Sequence, residues 1–450
     1  MDLLLTHGYF LEEDPKELQI MKPYAPLGIL YLSSHLRAKG FGVEVYDSTF
    51  GSRAELFRLL AAGPPSVIGI GANLMTRARV IEIAAAAKAA GWTVVLGGPE
   101  PAVYAREYLE CGADVIVEGE AELTMEELLP ALRSGALDKV AGILFRRPDG
   151  SVARTPARPL IRDLDAQPWP DRERIDLGRY LTAWRSRHGA GSVSVITARG
   201  CPYHCAWCSH STFGKTHRRR SVPAVADEVE WILGRYAPEM LWMADDVFTI
   251  HHGWMLDYAA EMKRRGLRVP FECITRADRL DARMAATLAE LGCFRVWIGS
   301  ESGSQRILDA MQRGVKVEQV REAVALCRAA GIQTGMFLMF GYEGEELSDI
   351  EATVSHVKAC RPDVFLTTVS YPIKGTPYYE QMAPKLVAIA DWAGSSDRDL
   401  RIAGRHSRRY FQFADQLLKG EMALLETGRD GGLIAAARRG LEESFHEVEA

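Results

Sequence analysis

"RGCPYHCAWCSH", residues 199–210, sets three cysteines, Cys201, Cys205 and Cys208, within eight positions. It follows an alternating β-branched run, "SVSVITA" (192–198), and Gly200 and Pro202 mark the start of a loop. Three thiolates from one short loop can hold three corners of an iron–sulfur cluster, whose irons are ordinarily held by four. One iron then stays open to an external ligand, as catalytic metal sites keep a coordination position free. A zinc site completed by His204 or His210 would use the same donors. A redox pair leaves the third cysteine unexplained. Chance clustering of buried thiols does not suit a loop that also carries Pro202, His204 and His210.

The rest of the chain reads as an ordinary globular protein. It has 450 residues, a soft prior for two or three domains, with 47% hydrophobic and 25% charged residues. A net charge of −5 gives no basic field to recruit nucleic acid or acidic lipid. No apolar run reaches the roughly 18 residues of a membrane span, so no membrane insertion is expected. "MDLLLTHGYF" lacks a basic n-region and a cleavage site, and a cytoplasmic location is the expectation. A disulfide framework does not belong there. Cys111, Cys273, Cys293, Cys327 and Cys360 stand singly in apolar segments and read as small buried hydrophobes.

Two α/β series are visible. In residues 1–145, "DLLLTH", "GVEVYD", "SVIGIGAN", "TVVLGGPEP" and "ADVIVEGEAE" read as strands, several running into glycine-rich loops. Helical patterns such as "LGILYLSSHLRAKG" and "TRARVIEIAAAAKAAG" lie between them, the latter with Thr76 as N-cap and Gly91 beyond its end. Buried β-branched runs separated by helices predict a parallel, Rossmann-like sheet. Residues 146–190, rich in Pro, Arg and Asp, read as a linker. The second series, 191–375, starts at 192–198 and adds "EMLWMAD", "VPFECIT", "FRVWIGS", "IQTGMFLMF" and "DVFLTTVSY". Helices are expected at 222–235, 252–265, 281–291, 317–330 and 345–359. Six βα units predict a partial barrel with its chemistry on loops at the carboxyl ends of the strands. Residues 376–450 read as mostly helical. "RHSRRY" (405–410) reads as a solvated face, and "GKTHRRRS" (214–221) as a solvated loop, with contact to an acidic substrate or to the nucleotide loop of a corrinoid as the alternative. Tyr371, Tyr378 and Tyr379 read as aromatic packing with the C-terminal helices, or as a substrate-cavity wall.

The CxxxCxxC spacing, with Trp207 before the last cysteine, resembles the radical SAM superfamily over roughly 190–375. The resemblance implies a partial (β/α)6 barrel with a [4Fe–4S] cluster on Cys201, Cys205 and Cys208. The open iron would take the amino and carboxylate groups of S-adenosylmethionine (SAM). It also implies roles at strand ends. Asp245 and Asp246 would meet the methionine ammonium, with an N-cap for the next helix as the plain alternative. Arg276 would hold the carboxylate. Glu301, beside Ser300, would bind the ribose or methionine part. Met339 would pack the adenine, or simply the core. The implied chemistry is reductive cleavage of SAM to a 5′-deoxyadenosyl radical, which attacks an unactivated C–H bond. That requires an electron donor such as flavodoxin or ferredoxin and a small-molecule substrate.

Residues 1–145 resemble the cobalamin (B12)-binding domain that precedes the barrel in one radical SAM subfamily. "PLGILYLSSHLRAKGFGVEVYD" (26–47), "GANLMTR" (71–77), "GGPEP" (97–101) and "EGEAE" (118–122) carry this likeness. It implies corrinoid contacts at Gly71, Leu74, Met75, Gly97, Gly98, Glu118 and Gly119. The DxHxxG motif of cobalamin mutases is missing, so no histidine is offered as lower axial ligand. A Rossmann-like domain without corrinoid is the alternative. Three functions follow in order: cobalamin-dependent methylation in natural-product or lipid biosynthesis; cobalamin-independent radical dehydration, rearrangement or cyclisation of a sugar, aminocyclitol, lipid or tetrapyrrole; and a zinc-stapled binding module without catalysis.

Overall fold

The computed structural model describes residues 1–449. They form two compact units. Unit one comprises Met1–Pro202, Ser209–Met240 and Asp391–Ser396; unit two comprises Tyr203–Cys208, Leu241–Ala390 and the chain from Asp397 on.

Unit one is a seven-stranded sheet of β1 (Leu3–His7), β2 (Val43–Val45), β3 (Val67–Gly71), β4 (Thr93–Gly97), β5 (Val115–Val117), β6 (Ile143–Arg146) and β7 (Val152–Arg154), in the order β2-β1-β3-β4-β5-β6-β7. The first five strands are parallel, and β6 and β7 add as an antiparallel edge. Side-chain alternation explains the two cores. Leu4, Ile68, Ile70, Val94, Leu96 and Ile116 face the helices Arg53–Ala62 and Arg77–Ala89. Leu3, Leu5, Val95, Val115 and Val117 face Leu27–Ala38 and Glu122–Ser134. Each fully buried aliphatic side chain contributes roughly 1.5–3 kcal/mol. The chain reverses its direction of travel between β1 and β3, a switch point where open α/β sheets leave a crevice.

Local chemistry departs from the sequence reading at Thr76, within 146–190, in 214–221 and, further on, at Arg405. Thr76 occupies the N-cap position of Arg77–Ala89 without capping it, because its hydroxyl serves the Asn73 backbone instead. Within 146–190 lie β7 and the helix Leu177–His188, whose Trp184 is buried and donates its indole N–H to Pro23 O at 2.8 Å. "GKTHRRRS" is not a solvated run. Arg218 is paired with Glu120, and buried Arg220 with Glu228, so acidic partners far away in sequence draw these arginines inward.

The second α/β series begins with β8 (Ser192–Val195), which leads to a short antiparallel pair of β9 (Ala198–Arg199) and β10 (Arg218–Arg219) around the cysteine loop. The next strands, β11 (Met240–Met243), β12 (Phe271–Thr275), β13 (Cys293–Glu301), β14 (Gln333–Phe340) and β15 (Val364–Val369), are parallel, in the order β15-β14-β13-β12-β11. The helices Val222–Tyr236, His252–Arg264, Ala282–Leu291, Val317–Ala329 and Leu347–Cys360 fall within two residues of the expected spans. The C-terminal region is helical, chiefly Arg408–Thr427 and Leu433–Ser444, with two two-residue strands, Leu386–Val387 and Arg401–Ile402. Arg405, from the segment read as solvated, is buried. It donates to Gly341 O and Ser370 O at 3.2 and 2.7 Å and pairs with Glu449, so it ties the ends of β14 and β15 to the tail.

Candidate active site

The cysteine loop is closed at its base by the β9–β10 pair. Gly200 has φ +86°, and a Cβ there would stand 2.4 Å from Thr216 O, so the turn admits only glycine. Cys201 is partly buried, Cys205 buried and Cys208 exposed. Backbone bonds pin the loop just after Cys205. Ala206 N–H donates to Met311 O at 3.0 Å, and Tyr378 N–H donates to Ala206 O at 2.9 Å. Tyr378 is itself fully buried and stacks on Tyr342, so it serves as the packing aromatic.

Two guanidiniums converge on Cys205. Arg313 Nη1 lies 3.5 Å from its Sγ and Arg276 Nη1 3.8 Å. Both arginines are buried. Arg276 follows β12, is held by Asp278 at 2.9 Å, and lies over the Tyr203 ring with its guanidinium carbon 3.6 Å from the centroid. Burial pulls the Arg313 pKa down, but Glu301 and Cys205 outweigh it and hold it above the usual arginine value. A cationic lining suits a thiolate donor or a cluster of net negative charge. Residues and group therefore fit.

Glu301 closes the other side of this pocket, its Oε1 3.9 Å from Arg313 Nε. It ends β13, where the register with β14 slips between Gly299 and Glu301. Its φ is +61°, left-handed for a residue with a side chain. The bulge and that dihedral re-aim the carboxylate. Burial pushes the Glu301 carboxyl above its usual range, against the pull of Arg313 and Arg276.

The remaining sequence candidates are distributed around this pocket. Asp245 is buried and Asp246 exposed after β11; neither caps the following helix, whose N-cap is His251. The Ser300 hydroxyl is 3.1 Å from His356 Nε2, on the helix Leu347–Cys360. Met339 packs with Ala206, Met311, Tyr342 and Tyr378, against Trp207. The geometry thus brings together Cys205, Arg276 and Glu301 and adds Arg313. Sequence reading missed Arg313 because "MQRGV" lies beyond a helix rather than at a strand end.

Unit one contains a cavity of about 440 Å³ at the carboxyl edge of its sheet. Gly71, Gly97, Gly98 and Gly119 line it, with Ile29, Leu32 and Met125 as part of the apolar wall. A Cβ on Gly98, at φ +111°, would meet Ala72 O at 2.3 Å, whereas a Cβ on Gly97 would meet nothing within 4 Å. Glu120, Glu122 and Arg199 form a polar rim, in which Arg199 pairs with both acids at 2.8 and 2.6 Å. Leu74, Met75 and Glu118 are not among the lining residues. Met75 is exposed on the loop after β3, and Glu118 pairs with Arg154. An apolar cavity with glycine edges fits a large organic ligand that must approach backbone closely.

The fold and the thiol loop together define an enzyme of the radical SAM type preceded by a corrinoid-type Rossmann domain. Comparison with known proteins agrees. The family model "Radical SAM superfamily" matches residues 195–357, and "B12 binding domain" matches 20–129. The uncharacterized methyltransferase PH0819 of Pyrococcus horikoshii is 30% identical over 381 residues, 82% of this chain and 80% of that protein. The anaerobic magnesium-protoporphyrin IX monomethyl ester cyclase of Rubrivivax gelatinosus is 26% identical over 82% of this chain and 68% of its own length. Among solved structures, the radical S-adenosylmethionine methyltransferase TsrM of Kitasatospora setae superposes with a TM-score of 0.71 at 22% identity, covering 86% of this chain and 77% of that one, and so shares the fold. The chain belongs to the radical SAM superfamily, in the branch that carries a B12-binding domain. Membership sets aside the zinc-stapled, non-catalytic alternative. Among the described residues, no helix is long and apolar enough to cross a membrane.

Proposed function

We propose that this protein is a cobalamin-dependent radical SAM methyltransferase that alkylates an unactivated carbon of a small organic metabolite. The observation that carries the reading is the pairing, in one chain, of a three-cysteine loop backed by buried arginines with a glycine-edged cavity at the switch point of a Rossmann sheet. Cys201, Cys205 and Cys208 would hold a [4Fe–4S] cluster, which would supply one-electron reducing chemistry for SAM cleavage.

The chain's own residues then have these tasks. Asp245 and Asp246 complement the methionine ammonium, and Arg276 complements the carboxylate. Glu301 orients the ribose or methionine part. Met339 offers an apolar surface to the adenine. Ser300, committed to His356, holds the β13 end rather than the ligand. Gly71, Gly97, Gly98 and Gly119 admit the corrinoid, and Leu74, Met75 and Glu118 belong to the loops beside it. Burial of the pocket keeps water from a reactive radical. A cytoplasmic flavodoxin or ferredoxin supplies the electron.

Anaerobic reconstitution with iron and sulfide, then turnover with dithionite and SAM, tests this. Expected are 5′-deoxyadenosine and S-adenosylhomocysteine together, a product heavier by one methyl, and strict dependence on added cobalamin. A reconstituted protein that retains no corrinoid and makes an unmethylated product would reject it. The second reading, radical cyclisation, rearrangement or dehydration without cobalamin, would then stand; the 26% identical relative named as a cyclase supports only its reaction type, a ring closure.

A further inference from the structure

Of the two guanidiniums at Cys205, only one has its charge fully matched. Arg276 is gripped by both Asp278 oxygens, Nε to Oδ1 at 2.9 Å and Nη2 to Oδ2 at 3.4 Å. The closest carboxylate approach to Arg313 is 3.9 Å, from Nε to Glu301, and its Nη2 donates to a neutral carbonyl, Gly299 O, at 2.9 Å. Its Nη1 is left to Cys205 Sγ at 3.5 Å. Trp207, two residues beyond Cys205, covers the guanidinium with its ring centroid 5.9 Å away. A buried cation is screened little by salt, so its field acts on the sulfur at close to full strength.

We propose that Arg313 sets the reduction potential of the cluster held through Cys205, by stabilising the extra negative charge that the site gains with one electron. This rests on the cluster assignment made above. The step is balanced. A low-potential donor, flavodoxin in the cell or dithionite in the test, gives up one electron and the cluster takes up one. No bond forms or breaks, and no proton moves. Net charge and hydrogen bonds to sulfur are the levers that protein surroundings exert on such clusters. Arg313 supplies both, whereas Asp278 cancels most of what Arg276 would add.

The test is an EPR-monitored dithionite titration of anaerobically reconstituted, SAM-free protein, with iron and sulfide quantified for each variant. Leaving SAM out separates an effect on the cluster from any contact with SAM. Arg313→Gln lowers the reduced-to-oxidised ratio about tenfold at fixed potential, a downward shift of about 59 mV for a one-electron couple. Arg313→Lys keeps the charge and stays within about threefold of wild type. Asp278→Asn frees the Arg276 charge and shifts the midpoint the other way. An Arg313→Gln protein with full iron content and an unmoved midpoint overturns the proposal, and so does Arg313→Lys falling as far as Arg313→Gln. Where Arg313→Gln does not take up iron, Arg313→Met, which also removes the charge, decides: iron-loaded Arg313→Met with an unmoved or raised midpoint overturns the proposal. Wild-type protein that holds no iron fails the cluster assignment and takes this inference with it. Loaded wild type with unmoved variants fails this inference alone.

Discussion

The cavity of unit one and the pocket around Cys205 in unit two are built by opposite means. The cavity comes from leaving atoms out: glycines at the carboxyl edge of the sheet and an aliphatic wall. The pocket comes from bringing charge in: Arg276, Arg313 and Glu301 are buried around one thiol. Leaving atoms out costs the fold little, and binding then rests on apolar area, which responds weakly to salt and pH. Bringing charge in costs desolvation, which must be offset by partners within the site, and ties function to protonation and redox state. Substitutions in the two places are therefore expected to fail in different ways.

The largest effect is expected at the thiol. Cys205→Ala should leave an incomplete ligand set, with iron content well below wild type and 5′-deoxyadenosine formation down by about three orders of magnitude or more. Full activity in that variant would remove the basis for the charged pocket. In the cavity, Gly97→Leu inserts a side chain where no atom lies within 4 Å of the new Cβ. It should weaken corrinoid retention at least about tenfold, the scale of an overpacked site, with an unfolding midpoint close to wild type. A large loss of thermal stability instead would mean that the cavity belongs to folding rather than to binding.

The comparison sharpens at the rim of unit one, where charge enters even the apolar site. Glu120→Ala strips Arg199 and Arg218 of a shared carboxylate. Arg199 keeps Glu122, but Arg218 loses its carboxylate, so a loss below the roughly 3–5 kcal/mol of a fully unpaired buried charge should show in denaturant unfolding. A smaller, pH-dependent effect belongs to unit two. Burial raises the Glu345 carboxyl from 4.5 to about 8, against the pull of the Gly341 N–H. A folded-state value above the unfolded one stabilises the fold below pH 4.5, and that contribution fades as pH rises through about 8. Thermal midpoints of wild type should therefore fall between pH 6 and 9, and Glu345→Gln should flatten the profile. The smallest effect is at Met75, 58% exposed. Met75→Ala should change stability by less than about 0.5 kcal/mol, and only a shifted corrinoid absorption spectrum would place it near the bound ligand.

How much of this was legible depended on which of the two means was used. Strands and helices of both series were legible because alternation and 3.6-residue periodicity survive in the sequence. "FRVWIGS" and "IQTGMFLMF" became β13 and β14 with little change in bounds. Glycines after strands advertised the cavity edge, since an omitted side chain is visible in one dimension. The charged pocket was legible only where a motif marked it, at Cys201, Cys205, Cys208 and the strand ends. Arg313 and the Arg199–Glu120–Arg218 network depend on pairs brought together from distant positions, and local pattern holds no trace of them. The same blindness made "RHSRRY" and "GKTHRRRS" look like surface, although Glu449, Glu120 and Glu228 draw their arginines inside.

The left-handed backbone at Glu301 has a consequence for how the enzyme tolerates change. An L-residue with a side chain held there costs the chain roughly 1–2 kcal/mol that glycine would not. Glu301→Gly would release that strain but leave buried Arg313 facing no carboxylate, a larger cost, so the variant is expected to be no sturdier and a poorer catalyst. The acid that faces Arg313 thus holds its own strained dihedral in place, and a thermal-melt comparison of Glu301→Gly with wild type reads which of the two costs is larger.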